Sequence, residues 1–392
     1  MPPPSPGELS SWIELSERAY QQNVGAFRAV AGQGRLLGAV LKGNAYGHGF
    51  EEILALAHPR VDWLYLITPG EALAVRAFEA ARALPRRQVL VIGAVSPAEC
   101  LGLARAGVAI VIGDQSLAAA APLLRSAGLA LEAHLHLDTG LSREGFTAAA
   151  LARGEAGFLG ETTDVRRVTG VLSHCANTED VTEQDFALRQ LEQFDQGFAA
   201  LVSAGLAPAT AQRHFAASAA ALVLPASRFD VLRAGISLYG LWPSTETRLS
   251  ARLVLGSVPA LEPVLSWRAP SQAVKWIPAG SYVGYGCTYR CSSETRIAVL
   301  PVGYWDGYPR IASGKAHVLV NGRRCALLGR VMMNHLIADV THAVSSEAPL
   351  VATLIGRDGE ESITAESLAG WAQTIHYEVM TRLGAHLRRV VR

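Results

Sequence analysis

Eight short apolar runs alternate with Ala/Leu/Glu-rich segments of helical period between Arg35 and Gly240, and Pro-containing turns with brief alternating runs follow. Together these predict a (β/α)8 barrel followed by a mainly β C-terminal domain. The length agrees: 392 residues suggest two or three domains, and the first segment approaches the roughly 250 residues usual for such a barrel.

The expected barrel strands are Leu36–Lys42, Trp63–Ile67, Gln88–Gly93, Val108–Ile112, Leu131–Asp138, Val168–His174, Ala211–Phe215 and Val231–Leu238. Gly70–Leu84, Pro97–Ala106, Gln115–Ser126 and Glu183–Ala204 read as helices between them, with Ser96-Pro97 and Thr182 as start signals. A doubly wound open sheet is the alternative that the same alternation allows. After Gly240 the strand candidates are Ala273–Ile277, Tyr282–Tyr289, Arg296–Val299, Ala316–Val320, Ala326–Leu328 and Ile337–Val340. Pro-Ser-Thr interrupts the pattern between Trp242 and Arg252. The expected division is therefore a barrel over 11–244 and a β domain over 245–392, with residues 1–10 extended and packed with the latter.

Composition excludes several classes. Lys plus Arg number 35 against 34 Asp plus Glu, so no cationic surplus exists to neutralise a nucleic-acid backbone. Mean hydropathy is +0.21, yet no uninterrupted apolar run approaches the ~18 residues of a membrane span. The start MPPPSPGELS has neither the cationic nor the apolar region of a secretory signal. Five cysteines, an odd number in so long a chain, read as reduced thiols of a cytoplasmic protein. Cys287 and Cys291 lie four apart without a matching second ligand pair, so no metal is expected.

Barrel enzymes carry reacting groups at the C-terminal ends of their strands. Those ends offer Lys42, then Asp138 with Arg143, then His174, Ser218, Arg233 and Gly235. Lys42 closes the run GAVLK and precedes GNAYGHG. It reads either as a surface lysine reaching out from a strand end or as a nucleophilic amine. The second reading requires desolvation or adjacent positive charge, because a free lysine amine has a pKa near 10.4.

Several strings, in order along the whole chain, decide between these readings. Leu41–Gly49 (LKGNAYGHG) closely resembles the cofactor-lysine motif of the alanine racemase family. Trp12–Leu15 with Asn23 is similar to the family's start, Asp138–Phe146 (DTGLSREGF) to its DTGMxRxGF, and Arg233–Gly240 (RAGISLYG) to its RxGIxLYG. Tyr282–Tyr289, Leu300–Pro309 (LPVGYWDGYP), Gly329–Met333 and Tyr377–Arg382 resemble its second-domain blocks.

The resemblance implies pyridoxal 5'-phosphate as cofactor, carried on Lys42, and interconversion of L- and D-alanine in the cytoplasm to supply D-alanine for peptidoglycan. Reversing a stereocentre takes a proton from one face and returns one to the other, so a second acid/base is needed. Tyr285 matches that role and, in the family, comes from the partner subunit of a homodimer. Arg233 matches the arginine facing the pyridine nitrogen, where a guanidinium donates a hydrogen bond without surrendering a proton. His174 matches the histidine orienting it; a buried structural histidine is the alternative. By the same resemblance Tyr46, Ser218, Gly235, Ile236 and Tyr377 bind the phosphate, and Arg143 the substrate carboxylate. The partner's Met333 would add a backbone contact there. Tyr304 narrows the entrance, and Asp138 is read equally as structural or catalytic.

Three residues depart from the family's pattern. His136 stands where many members have a lysine, Asn334 where aspartate is common, and Ala217 where asparagine is common. An anion or another residue is therefore expected to hold Arg143. The rival functions are a racemase of serine or basic amino acids, a decarboxylase of similar architecture, a pyridoxal-phosphate carrier without turnover and a cofactor-free barrel hydrolase.

Overall fold

Eight parallel strands occupy one sheet: Leu36–Val40, Trp63–Leu66, Gln88–Val91, Ala109–Ile112, Leu131–His136, Arg166–Leu172, Gln212–His214 and Val231–Ala234. Each pairs with its predecessor up to the seventh, and the eighth pairs back with the first, Leu36 opposite Val231. Asp230 N–H donates to the Arg213 carbonyl (2.9 Å), and Ala217 bridges Arg233, which nearly closes the ring. A first strand paired with the last excludes the doubly wound sheet, whose ends stay apart. The computed structural model describes residues 10–179, 183–346 and 348–392. The cap expected at Thr182, and residues 1–9 of the expected N-terminal extension, lie outside the described residues.

The strands are short and buried on both faces, as parallel strands covered by helices must be; Trp63–Leu66 is buried throughout. Helix starts follow local chemistry. Pro97–Ala106 begins at a reciprocal box in which Ser96 N–H donates to Glu99 Oε2 (2.8 Å) and Glu99 N–H to Ser96 Oγ (3.4 Å). The helix expected over Gly70–Leu84 is Pro69–Ala81, because Thr68 forms the same box with Glu71. The long helix Asp185–Ser203 opens at Gln184 without a side-chain cap.

Two strand ends differ from the sequence expectation in ways that matter below. The first strand stops at Val40, and Lys42 opens a turn. The eighth stops at Ala234, because Gly235 N–H donates to Ser218 Oγ (2.9 Å) and Ile236–Tyr239 wind into a 3-10 turn.

The chain divides into two compact units: the barrel unit holds residues 21–42 and 54–262, and the second holds 10–20, 43–53 and 263–392. Within the barrel unit, Asn23 clasps residue 262: its Nδ2 donates to the Glu262 carbonyl and its Oδ1 accepts from the Glu262 amide, both 2.8 Å. The helix Thr245–Leu255, beyond the expected division, groups here.

The second unit's main sheet runs Arg323–Ala326, His317–Val320, Val351–Asp358, Leu265–Pro270, Trp12–Leu15, Arg388–Val391, with Glu361–Ile363 paired to Val351–Asp358. Trp12–Leu15 therefore lies outside the barrel sheet, antiparallel to Leu265–Pro270 and parallel to Arg388–Val391. Ala273–Ile277, Thr295–Leu300 and Leu336–Asp339 form a second, antiparallel sheet. The expected single run Tyr282–Tyr289 breaks into two short strands around a turn at Tyr285–Cys287, where Gly284, Gly286 and Cys287 take φ of 75°, 74° and 48°. Two helices, Ala365–Ala372 and His376–Thr381, interrupt the β character. Among the described residues no helix is long and apolar enough to cross a membrane.

Candidate active site

Lys42 follows the first barrel strand and is partly buried. Burial, then the charges of Arg143 and Arg233, lower its pKa from the ordinary lysine value. Those influences favour the neutral, nucleophilic amine, as desolvation and neighbouring cations do in general.

The residues after it turn left-handed. Gly43, Asn44, Ala45 and Tyr46 take φ of 64°, 55°, 52° and 53°. The three that are not glycine each cost about 1–2 kcal/mol in this conformation. Compensation comes from within the loop: Gly47 N–H donates to the Gly43 carbonyl (3.0 Å), and Phe50 N–H to Asn44 Oδ1 (2.8 Å). Gly47 lies so close to the helix His376–Thr381 that a Cβ would stand 1.8 Å from the Met380 carbonyl oxygen. This contact sets Tyr46 beside Tyr377, with ring centroids 6.2 Å apart. Two of the expected phosphate-binding residues thus sit together in the second unit.

In the barrel unit, Arg233 is buried near the end of the eighth strand. Its Nη2 donates to the carbonyls of Ser173 (2.6 Å) and Phe215 (3.1 Å) and to His174 Nδ1 (3.3 Å). Its Nη1 donates to the His214 carbonyl and to His214 Nδ1 (3.3 Å). A guanidinium only donates, so His174 Nδ1 accepts and the neutral ring carries its proton on Nε2. Burial first, then Arg233 and Arg143, hold the His174 pKa well below its usual value and keep the ring uncharged. His174 therefore orients Arg233, as expected. Two carbonyl anchors on the sixth and seventh strand ends supplement it.

Ser218 opens the helix Ser218–Val223 and accepts from Gly235 N–H, so the expected phosphate groups of the barrel unit are adjacent. Ala217 precedes the helix in extended conformation and offers no side-chain cap, leaving its first amides for another acceptor. Asp138 is structural: Oδ1 accepts from Gly140 N–H (2.9 Å) and Ser142 N–H (3.1 Å), bending the chain toward Arg143. Arg143 Nε lies 3.9 Å from Glu144 Oε2, and both side chains are about half exposed. Such a pair is screened and weak, so Arg143 is free to meet a carboxylate.

Tyr285, Tyr304 and Met333 meet on the second unit. Gly303 approaches so closely that a Cβ would stand 2.2 Å from the Met332 carbonyl oxygen, and Tyr304 and Trp305 amides donate to the carbonyls of Met332 and Met333 (both 3.0 Å). Gly329 packs against the Val283 carbonyl, bringing the Tyr285 turn onto the same segment. All three side chains face outward, at 74%, 43% and 54% exposure. Asp306 braces the Tyr304 turn by accepting from Gly303 N–H (2.8 Å) and pairing with His386 Nε2 (2.9 Å).

Sequence reasoning did not foresee His134 and His214. The alternation of His134 with His136 along a strand places both side chains on one face, and that period of two was the available signal. Burial is the main cause of lowered pKa values for His48 and His136, each to about 4, and for His134, to about 3. Unfolded histidine titrates near 6.5, so between about pH 6.5 and 4 only the unfolded chain binds these protons. Stability is therefore present above this window and is lost as pH falls through it, at up to about 1.4 kcal/mol per pH unit for each residue. Urea unfolding at about pH 7 and about pH 5 checks this; equal midpoints would contradict it.

An eight-stranded barrel with a strand-end lysine and a buried arginine, joined to a β unit on one chain, defines the class of barrel-plus-β enzymes that act on amino acids. The model of the alanine racemase N-terminal domain matches residues 15–243, and that of the C-terminal domain matches 264–391. The alanine racemase of Leptospira interrogans is 37% identical over 386 residues, covering 97% of this chain and 96% of the relative. The crystal structure of the Bacillus anthracis alanine racemase with bound L-Ala-P is 30% identical, with a TM-score of 0.87 over 99% of this chain and 96% of that one. The Streptomyces coelicolor alanine racemase is 32% identical, with a TM-score of 0.86 over 98% of both chains. The chain belongs to the alanine racemase family.

Proposed function

We propose that this enzyme interconverts L- and D-alanine with pyridoxal 5'-phosphate carried on Lys42, in the cytoplasm, and that its D-alanine serves peptidoglycan. The observation that supports this most is the amine of Lys42 at a barrel strand end, its charged form disfavoured by burial and by the nearby Arg143 and Arg233. The residues present fit the cofactor. Arg233 spends Nη1 and Nη2 on the protein, and its Nε has no hydrogen-bond partner among the described residues, so a donor remains for a pyridine nitrogen. Gly235 and Ile236 amides, Ser218, Tyr46 and Tyr377 are the proposed phosphate ligands. The cofactor, when bound, supplies the electron sink that acidifies the substrate's α-carbon.

The side chains then divide the work. Arg143 holds the substrate carboxylate as a planar two-donor fork. Lys42 Nζ exchanges a proton with one face of the α-carbon, and the Tyr285 hydroxyl with the other. Because a guanidinium retains its proton, Arg233 moderates the sink, which favours return of the proton to carbon over side reactions. The exposed Tyr285, Tyr304 and Met333 are proposed to serve a second copy of the chain in a homodimer. Tyr282, Trp305 and Ile311, also exposed, add apolar surface for such an interface.

The test joins spectrum to substrate. The purified protein should be yellow, lose that band on borohydride reduction and yield a modified Lys42 peptide by mass spectrometry. Turnover should be highest on alanine among alanine, serine, lysine and arginine. A label on any other side chain removes the mechanism, a preference for a basic amino acid removes the alanine assignment, and bound cofactor without α-proton exchange marks a carrier.

A further inference from the structure

Below Arg233 the barrel interior holds a second imidazole. His134 Nδ1 lies 2.7 Å from His214 Nε2, and both rings are fully buried. The protons on this pair are assigned by elimination. Arg233 Nη1 can only donate to His214 Nδ1, so the neutral His214 carries its hydrogen on Nε2. That hydrogen points at His134 Nδ1, which must accept, so His134 carries its own hydrogen on Nε2. The result is a one-way relay from Arg233 through His214 to His134.

The neutral state this requires is supported by burial, which lowers the His134 pKa to about 3 and that of His214 well below the ordinary range. The barrel makes room for the arrangement. A Cβ on Gly170 would stand 2.5 Å from His134 Nδ1, and Trp63 packs edge-on against the His134 ring with centroids 5.1 Å apart. Residue 134 therefore has little freedom to leave the line.

We propose that His134 is a positioning residue for Arg233: by accepting from His214 it selects the tautomer in which His214 can accept from the guanidinium. Without that acceptor, the His214 Nε2–H would be a buried donor with no partner, a cost of roughly 1–3 kcal/mol. Moving the proton to Nδ1 relieves that cost but sets two donors face to face at Arg233. The effect on catalysis rests on the role of Arg233 proposed above; the tautomer itself does not.

The experiment records ring-nitrogen spectra of the purified full-length protein labelled with 15N-histidine, with His134→Asn and His214→Asn assigning the signals. In the parent, His214 is expected as the Nε2–H tautomer. His134→Leu, which removes the acceptor, should convert it to Nδ1–H and lower racemisation kcat about tenfold, the scale of lost supporting contacts, with KM nearly unchanged. His134→Asn, whose amide oxygen takes the place of Nδ1, should restore both. An Nδ1–H tautomer in the parent overturns the proposal even should His134→Leu fail to fold. So does a His214 that stays Nε2–H in the leucine variant, or equal behaviour of the two variants. A tautomer change with unaltered kcat upholds the relay and overturns the role given to Arg233.

Discussion

Lys42→Ala should give a colourless protein whose racemisation falls by at least ~10⁴-fold. Two functions vanish together: the covalent attachment point of the cofactor and the base on one face, each of which alone is worth orders of magnitude. The loss should not come from unfolding. Lys42 is only partly buried, and its removal relieves a cationic neighbourhood containing Arg143 and Arg233. Racemase assay and visible spectrum, with the thermal midpoint compared to the parent, check this result. An alanine variant that keeps its colour and its turnover would remove Lys42 from the reaction.

Tyr285→Phe should behave differently: colour retained, racemisation down by about 10²–10⁴-fold, the range ascribed to one positioned acid/base. Its hydroxyl is the group at issue, since the ring stands 74% exposed and contributes little to folding of the chain. The two-face division makes a sharper forecast. With Lys42 intact, one enantiomer of alanine should still exchange its α-proton with solvent deuterium without inverting, while the other exchanges far more slowly. Equal exchange of both enantiomers would mean that Tyr285 is not the second base. Mixing the two inactive variants adds a test of assembly. With random subunit exchange half the dimers are mixed and each has one intact site of two, so about a quarter of sites should recover if residues are shared across a symmetric dimer. No recovery after demonstrated exchange would place Lys42 and Tyr285 of one site on the same chain.

Much of the barrel was legible because its signals are local. The start of Pro97–Ala106 follows from Ser96 and Glu99 three residues apart, and the buried strand Trp63–Leu66 from an unbroken apolar run bounded by turn residues. The strand Leu265–Pro270 was missed although it alternates buried and half-buried residues, since its short LSWRAP sequence ends in proline and its stability comes from partners far along the chain. The helices Ala365–Ala372 and His376–Thr381 were likewise hidden by their brevity. In the site, the residues carrying recognisable strings were found. His134 and His214 were not, because a histidine's role depends on which atom faces it.

What the sequence determined by itself is the alternation that makes a barrel, the change to β structure after it, and the chemistry-bearing side chains at the strand ends. These rest on periodicities of two and 3.6 residues and on side-chain chemistry, which need no knowledge of distant neighbours. Tertiary structure alone decided that Trp12–Leu15 pairs between Leu265–Pro270 and Arg388–Val391, that the residues after Lys42 turn left-handed, and that Arg233 is held by Ser173, His174, His214 and Phe215. Each of these arises where groups remote in sequence must satisfy one another's hydrogen bonds or fill one another's space. That requirement exists only once the chain has folded.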